Sequence, residues 1–220
     1  MEDMPLEPEP QQVVHSSGSV NSWKDFVVQL VIVTAGVLIA LLLQGLVEWQ
    51  RGEVLVREAR ANILQELQDN IKEIDGEIAG LKRHRANLEN ALQLVNDLMA
   101  SGKSDINQID VGSSLAGLSS ASWRSAERTG ALALMEYRDV QALSRVYDTQ
   151  DLYVAQQQRS LERVAGAMAT VARGPHAAPR ADLENFRRDV LALLGDLTVE
   201  GQLAQHLSES YKSTIANVFE

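Results

Sequence analysis

Residues 26–47 read FVVQLVIVTAGVLIALLLQGLV, a run of twenty-two positions without Asp, Glu, Lys or Arg. A helix of this length is about 33 Å long, enough to cross a hydrocarbon core of about 30 Å. Trp23 and Trp49 flank the run, where amphipathic rings favour the headgroup region, and Lys24 and Arg51 can hold its ends in water. The run therefore predicts a transmembrane helix over residues 23–49.

Two features argue against a cleaved secretory signal. The run is longer than a signal core of about 7–15 residues, and the segment before it is acidic. Residues 1–22 contain four acidic side chains and three prolines, which predicts a disordered acidic tail.

The orientation is predicted from the basic residues beside the run. Lys24 precedes it, whereas Arg51, Arg57 and Arg60 follow it. Because cytoplasmic flanks are usually richer in Lys and Arg, we expect the C-terminal part in the cytoplasm, and a periplasmic location stays open.

The composition limits the function classes. The 220 residues are 45% hydrophobic and 23% charged, include no Cys and carry a formal net charge of −10. No disulfide framework, thiolate metal site or Cys nucleophile is therefore expected, and bulk charge argues against a nucleic-acid partner.

After the run, residues 50–100 keep a helical pattern without Pro. Apolar residues spaced three and four apart predict a coiled-coil-like stalk helix, with a stutter just after Leu67. Arg85 interrupts this predicted seam, either as a register selector or as an arginine that extends into solvent, which we favour. The predicted seam is Ile71, Ile74, Ile78, Leu81, Arg85, Leu88, Leu92, Val95 and Met99.

The rest of the chain predicts two more long helices. Residues 101–121 read as a loop with a short helix, and residues 122–220 as two long helices that pack back on the stalk. Gly195 and residues 198–201 predict a break in the second of them. An all-α fold follows, an elongated antiparallel helical bundle. The first helix of the pair has a predicted seam of Val140, Leu143, Tyr147, Gln150, Val154, Gln157, Leu161, Val164, Met168 and Val171, whose glutamines are either polar layers or, as we favour, lateral residues.

A second pattern lies within the apolar run. Gln29, Gly36, Ala40 and Gln44 share one helical face. Small residues allow helices to approach closely, and amides in lipid gain by pairing, so this face predicts self-association. The alternative is that Gly36 and Ala40 are incidental.

Glu66 and Asn70 lie four apart on one face of the stalk. They are candidates for hydrogen bonds across helices or to a ligand. The alternative, which we favour, is a solvated face with local pairing.

Several of these segments resemble a broad group of uncharacterised bacterial single-pass membrane proteins. The resemblance lies in Trp23, the glycine-containing run, Trp49 and the segment Leu64–Asn70 with its Leu-x-Glu-Leu-x-x-Asn pattern. It implies a short tail, one span and a helical region in the bacterial inner (plasma) membrane. It implies no activity and no catalytic residues.

The sequence gives no support for catalysis. The four histidines belong to no metal-binding pair, and phosphate-loop, dinucleotide and nucleophile-elbow motifs are absent from it. We therefore predict no catalytic residue, no metal and no cofactor. The expectation is a non-enzymatic, self-associating scaffold in membrane lipid with an unknown protein partner. A sensor whose bundle binds a small ligand is the alternative, and an enzyme with an unrecognised site is the third hypothesis.

Overall fold

The computed structural model describes residues 23–106, 109–112 and 115–220, and the tail predicted for residues 1–22 lies outside them. Within these ranges the chain is helical and has no strand. Contacts divide it into two units, Met1–Arg51 (unit 1) and Gly52–Glu220 (unit 2). The helices are α1 (Trp23–Ser101), α2 (Ala121–Arg128), α3 (Tyr137–Thr170) and α4 (Arg180–Val218), with short 3-10 helices at Ala131–Leu134 and Pro175–Ala177.

The described part of unit 1 is the first portion of α1. Its apolar side chains are exposed, Leu42 for example by 74%. Among the described residues, α1 is the one helix long and apolar enough to cross a membrane by length and composition, and none of its most apolar window is buried.

In unit 2, α1 has a regular inner line of residues, with Glu66 and Leu94 buried beside it. The steps alternate between four and three without a stutter, so the predicted stutter is wrong. Asn70 and Glu77 occupy core positions, and half-buried His84 continues their line. At these three positions the predicted seam contains Ile71, Ile78 and Arg85, each one residue later. Five of the nine predicted members are displaced by one residue in this way. The observed line is Ile63, Leu67, Asn70, Ile74, Glu77, Leu81, His84, Leu88, Ala91, Val95 and Leu98.

Helix α3 departs from the prediction in the same way. Val154, Leu161 and Met168, predicted in the seam, are exposed by 40%, 45% and 40%. Gln150 and Gln157 are buried, so the lateral position favoured for them is wrong. The observed line is Asp139, Leu143, Val146, Gln150, Tyr153, Gln157, Ser160, Val164, Ala167 and Val171.

Helix α4 is continuous from Arg180 to Val218, so the break predicted near residues 198–201 is wrong. Glu200 and Thr214 are buried on its inner line. The observed line is Leu183, Phe186, Val190, Leu193, Leu197, Glu200, Ala204, Leu207, Tyr211, Thr214 and Val218. Glu200 explains the error, because a carboxylate in an interior position looks like an interruption when only apolar residues are counted.

Contacts between side chains of unit 2 relate α4 to the other two long helices. Along α1, Asp75 contacts Ser208, Arg85 contacts Thr198 and Asn96 contacts Arg187, so the numbers fall along α4 as they rise along α1. Along α3, the same relation holds for Gln150 with Tyr211 and Ser160 with Glu200.

The core of unit 2 consists of two apolar clusters. One contains Ile74 and Leu207 and the other contains Leu88 and Phe186. Glu77, His84, Gln157, Ser160 and Glu200, none of which belongs to either cluster, fill the inner lines between them.

The observed lines predict different costs for the same substitution at two positions of α3. Leu143→Ala removes a fully buried side chain and should lower the free energy of unfolding by about 2–5 kcal/mol. Leu161→Ala, at an exposed position that the sequence pattern places in the core, should change it by about 0.5 kcal/mol or less. Urea unfolding of the detergent-solubilised full chain, followed by circular dichroism, measures both. Equal losses at the two positions would contradict the observed register.

Candidate functional site

The candidate residue Glu66 accepts four hydrogen bonds from a single stretch of chain and one tyrosine. Its Oε2 accepts from the Ser119 hydroxyl at 2.7 Å and from the Ser122 N–H at 2.8 Å. Its Oε1 accepts from the Tyr147 hydroxyl at 2.7 Å and from the Trp123 N–H at 3.3 Å. A carboxylate offers about four lone-pair positions, and these contacts occupy all of them.

These contacts make Glu66 a cap for α2. The first N–H groups of a helix have no partner within it, and Ser120, which precedes α2, makes no capping bond through its side chain. The N–H groups of Ser122 and Trp123 belong to this first turn, and the Glu66 carboxylate on α1 satisfies both. A negative charge at a helix N-terminus is also favoured by the helix dipole.

The protonation of this cluster follows from the same contacts. Burial raises the pKa of Glu66, but the hydrogen bonds from Ser122, Ser119, Tyr147 and Trp123 together outweigh it, and the net pKa lies below the ordinary value. Burial and the bond to Glu66 raise the pKa of Tyr147 far above its ordinary value. Glu66 is therefore the ionised acceptor and Tyr147 the donor at neutral pH.

Asn70, one turn along α1, holds the backbone of Ser119. Its Oδ1 accepts from the Ser119 N–H at 2.8 Å, and its Nδ2 donates to the Ser119 carbonyl at 2.7 Å and to Gln150 Oε1 at 3.3 Å. Gln150 donates to the same carbonyl at 3.1 Å and accepts from the Tyr211 hydroxyl at 2.8 Å. One amide of α1 thereby connects the segment before α2 with α3 and α4.

Glu66 and Asn70 are exposed by only 7% and 2%. The solvated face favoured for this pair is therefore wrong, and both residues bond across the fold. Asp69 fits that description instead, since it is exposed and its carboxylate contacts Gln65 and Lys72. A role of Glu66 and Asn70 toward a ligand or partner stays a prediction.

The other candidates lie elsewhere. Arg85 is exposed and donates to the Thr198 hydroxyl at 2.9 Å, outside the buried line. In unit 1, Gln29, Gly36, Ala40 and Gln44 are all exposed on α1, and Gln44 donates to the Glu48 carboxylate at 3.0 Å. Apart from the neighbouring residues of α1 itself, no described atom lies within 4 Å of the place a Cβ on Gly36 would take.

Sequence reasoning missed a second polar cluster, centred on Glu200. This carboxylate is 3% exposed, and its Oε2 accepts from the Ser160 hydroxyl at 3.3 Å. His84 Nδ1 lies 3.8 Å from Glu77 Oε1. A cavity of about 20 Å³, large enough for one water molecule, is lined by His84, Ser160, Glu200 and apolar residues. The sequence signal for these buried polar positions is the seven-residue spacing of Asn70, Glu77 and His84, which places them on one face of α1.

Burial and the neighbouring charge of Glu77 raise the pKa of Glu200 to about 6, against the hydrogen bonds from Ser160 and Gln157. Among the residues that the structure describes, no group of His, Cys, Asp and Glu is arranged to hold a metal ion.

One open groove adjoins the Glu66 cluster. It has a volume of about 700 Å³, and its lining includes Ser119, Ser120, Arg124, Ser125 and Arg128. Hydroxyls and guanidinium groups are donors suited to an anionic ligand.

Replacing Glu66 should destabilise unit 2. Glu66→Ala removes the cap of α2 and leaves the buried Tyr147 hydroxyl without its acceptor, a loss of about 3 kcal/mol at neutral pH. Because the folded pKa of Glu66 is lowered, this loss should shrink as the pH falls through that pKa. Urea unfolding across a pH series tests both points. Asp69→Ala, at an exposed neighbour, is the control, and an equally small effect of the two variants would refute the capping role.

Replacing Glu200 should have the opposite effect on the free energy of unfolding. A folded pKa raised above the ordinary value of 4.5 means that ionising Glu200 costs stability as the pH rises through about 6. Glu200→Gln should therefore be more stable than the wild type at pH values well above 6, by about 2 kcal/mol at most, and should gain nothing below the ordinary pKa of Glu. Unfolding at several pH values measures this, with the exposed Glu209→Gln as the control. A pH-independent effect of Glu200→Gln would contradict the assignment.

No protein-family model, curated protein or solved structure matches this chain. The resemblance of Trp23, Trp49 and Leu64–Asn70 to bacterial single-pass membrane proteins therefore stays a prediction.

Proposed function

We propose that this protein is a single-pass membrane protein whose helical part is a self-associating scaffold that binds a protein partner. The observation that carries the proposal is the uncharged run of residues 26–47, whose apolar side chains are exposed around the whole helix. Removing these side chains from water is favourable by a free energy on the order of tens of kcal/mol, and a bilayer can surround the helix along its full length.

The same proposal describes unit 2 as an elongated antiparallel bundle with coiled-coil-like packing. Its support is the alternation of three- and four-residue steps on α1, α3 and α4, which is the spacing of inner positions in such bundles. In the contacts of Asp75, Gln150 and Ser160, residue numbers fall along α4 as they rise along α1 and α3. This relation supports the antiparallel arrangement.

A scaffold fits the Glu66 cluster better than an enzyme does. The Glu66 carboxylate has its acceptor positions occupied by Ser119, Ser122, Trp123 and Tyr147, which leaves it no capacity to act as a base. Its contacts stabilise the fold and set the position of α2. The surface of unit 2 is then the part that meets a partner.

Self-association is proposed through the face formed by Gln29, Gly36, Ala40 and Gln44. The small residues Gly36 and Ala40 on this exposed face support it, because a second helix can approach the backbone closely there. We place the protein in the bacterial inner membrane with the C-terminal part in the cytoplasm, on the basis of Arg51, Arg57 and Arg60.

The association face predicts a position-dependent cross-link. The chain has no Cys, so Gly36→Cys or Ala40→Cys introduces a single thiol, and oxidation in membranes should yield a disulfide-linked dimer. Leu38→Cys and Leu42→Cys, each two residues and about 200° away around the helix, should yield much less. Cross-linking is read as the dimer fraction on non-reducing gels. Monomer at all four positions would refute self-association through the span.

The second candidate is a sensor, which the groove beside α2 favours. Its Arg124 and Arg128 would hold an anionic metabolite. A thermal shift of several degrees with one compound of an anionic panel, lost in the Arg124→Gln, Arg128→Gln double variant, would support this candidate. Equal shifts in both proteins, or none, would count against it.

A further inference from the structure

Two large side chains, Leu134 and Tyr137, are exposed where the chain passes from α2 into α3. Gly130 adopts a left-handed backbone conformation with φ of 79°, and the 3-10 helix Ala131–Leu134 follows at once. Leu134 is exposed by 59% and Tyr137, the first residue of α3, by 76%. Met135 between them is half-buried against the core, which fixes the backbone beneath the two exposed side chains.

This segment is attached to α1 at two points of unit 2. The Leu134 side chain packs on Gly52, with its Cδ1 only 3.3 Å from the place a Cβ there would take. Asp139 pairs with Arg60 at 2.7 Å, and Arg60 also donates to the Val218 carbonyl. These contacts connect the backbone on both sides of Tyr137 to α1.

Chain length limits how far Leu134 lies from the apolar run. Gly52 follows Val47, the last residue of the run, by five positions. Five residues cover about 8 Å as a helix and at most about 18 Å when fully extended, whatever the direction of the chain. Leu134, in contact with Gly52, is therefore within reach of the surface of any bilayer that the run crosses.

We propose that Leu134 and Tyr137 form a second, peripheral membrane contact and enter the boundary between headgroups and acyl chains. This inference rests on the proposed membrane anchor. The chemistry fits a lipid surface, because Leu supplies apolar area and Tyr combines an apolar ring with a hydroxyl suited to the headgroup region. Glu136 and Arg138, the charged neighbours of Tyr137, have opposite signs and lie 3.9 Å apart, so together they add no net charge to this part of the surface.

Spin labels placed one at a time on the cysteine-free full chain test the proposal. Leu134→Cys is labelled with a nitroxide, and the chain is reconstituted sparsely into vesicles of phosphatidylcholine and phosphatidylglycerol. Oxygen concentrates in lipid and a neutral nickel chelate in water, so their relative collision rates with the label report its environment. Leu152→Cys is the matched control, because Leu152 is also an exposed leucine, at 62%, but lies on α3 fifteen residues after Tyr137.

The expected result is more collisions with oxygen than with nickel at position 134 and the reverse at position 152. Two results would overturn the proposal: a label at 134 that meets nickel as freely as the one at 152, or a label shielded from both reagents, which would mean that a second copy or another protein covers the site. A label at Leu38→Cys, inside the run, separates this failure from failure of the anchor. If the label at position 38 collides mainly with oxygen and the label at position 134 mainly with nickel, only the peripheral contact is rejected. If both labels collide mainly with nickel, the anchor is rejected as well.

Discussion

An uncharged helix of twenty-two residues needs a covering that water does not provide, and this requirement governs the proposed role of the whole chain. Exposed Leu, Ile and Val occupy every side of residues 26–47. A helix from the core of a soluble protein would have at least one face packed against its own chain, whereas none of the most apolar window here is buried. A bilayer satisfies the requirement for the entire run.

The second constraint acts inside unit 2, where polar side chains occupy core positions. Glu66 and Asn70 bond to N–H and C=O groups of the segment around Ser119 and so hold this segment against α1. Each of these bonds requires one register of α1 against α2 and α3. We infer that the polar positions select a single arrangement among helices whose apolar surfaces alone would permit several. Glu200, by contrast, is a buried carboxylate whose ionisation opposes folding.

The sequence was sufficient for the helical character of the chain and for the end of the stalk helix, where Ser101 is followed by Gly102 with φ of 71°. It was also sufficient for every second member of the inner line on α1 and on α3, such as Ile74 and Leu143. The members between them were displaced by one residue, because polar residues such as Asn70 and Ser160 were passed over for apolar neighbours. A polar residue is acceptable in a core only when its partner is known, and the partner of Asn70 on α3, Gln150, lies eighty positions away. Local periodicity contains no information about such pairs.

The measurement that tests the central claim most directly is extraction of the full-length chain from isolated membranes with alkaline carbonate, which removes peripheral proteins and leaves integral ones. We predict that the protein stays in the membrane pellet and is released by detergent. A variant carrying Leu38→Arg and Leu42→Arg, which places two charges inside the run, should move toward the soluble fraction. Quantitative release of the unmodified chain by carbonate alone would contradict the membrane anchor.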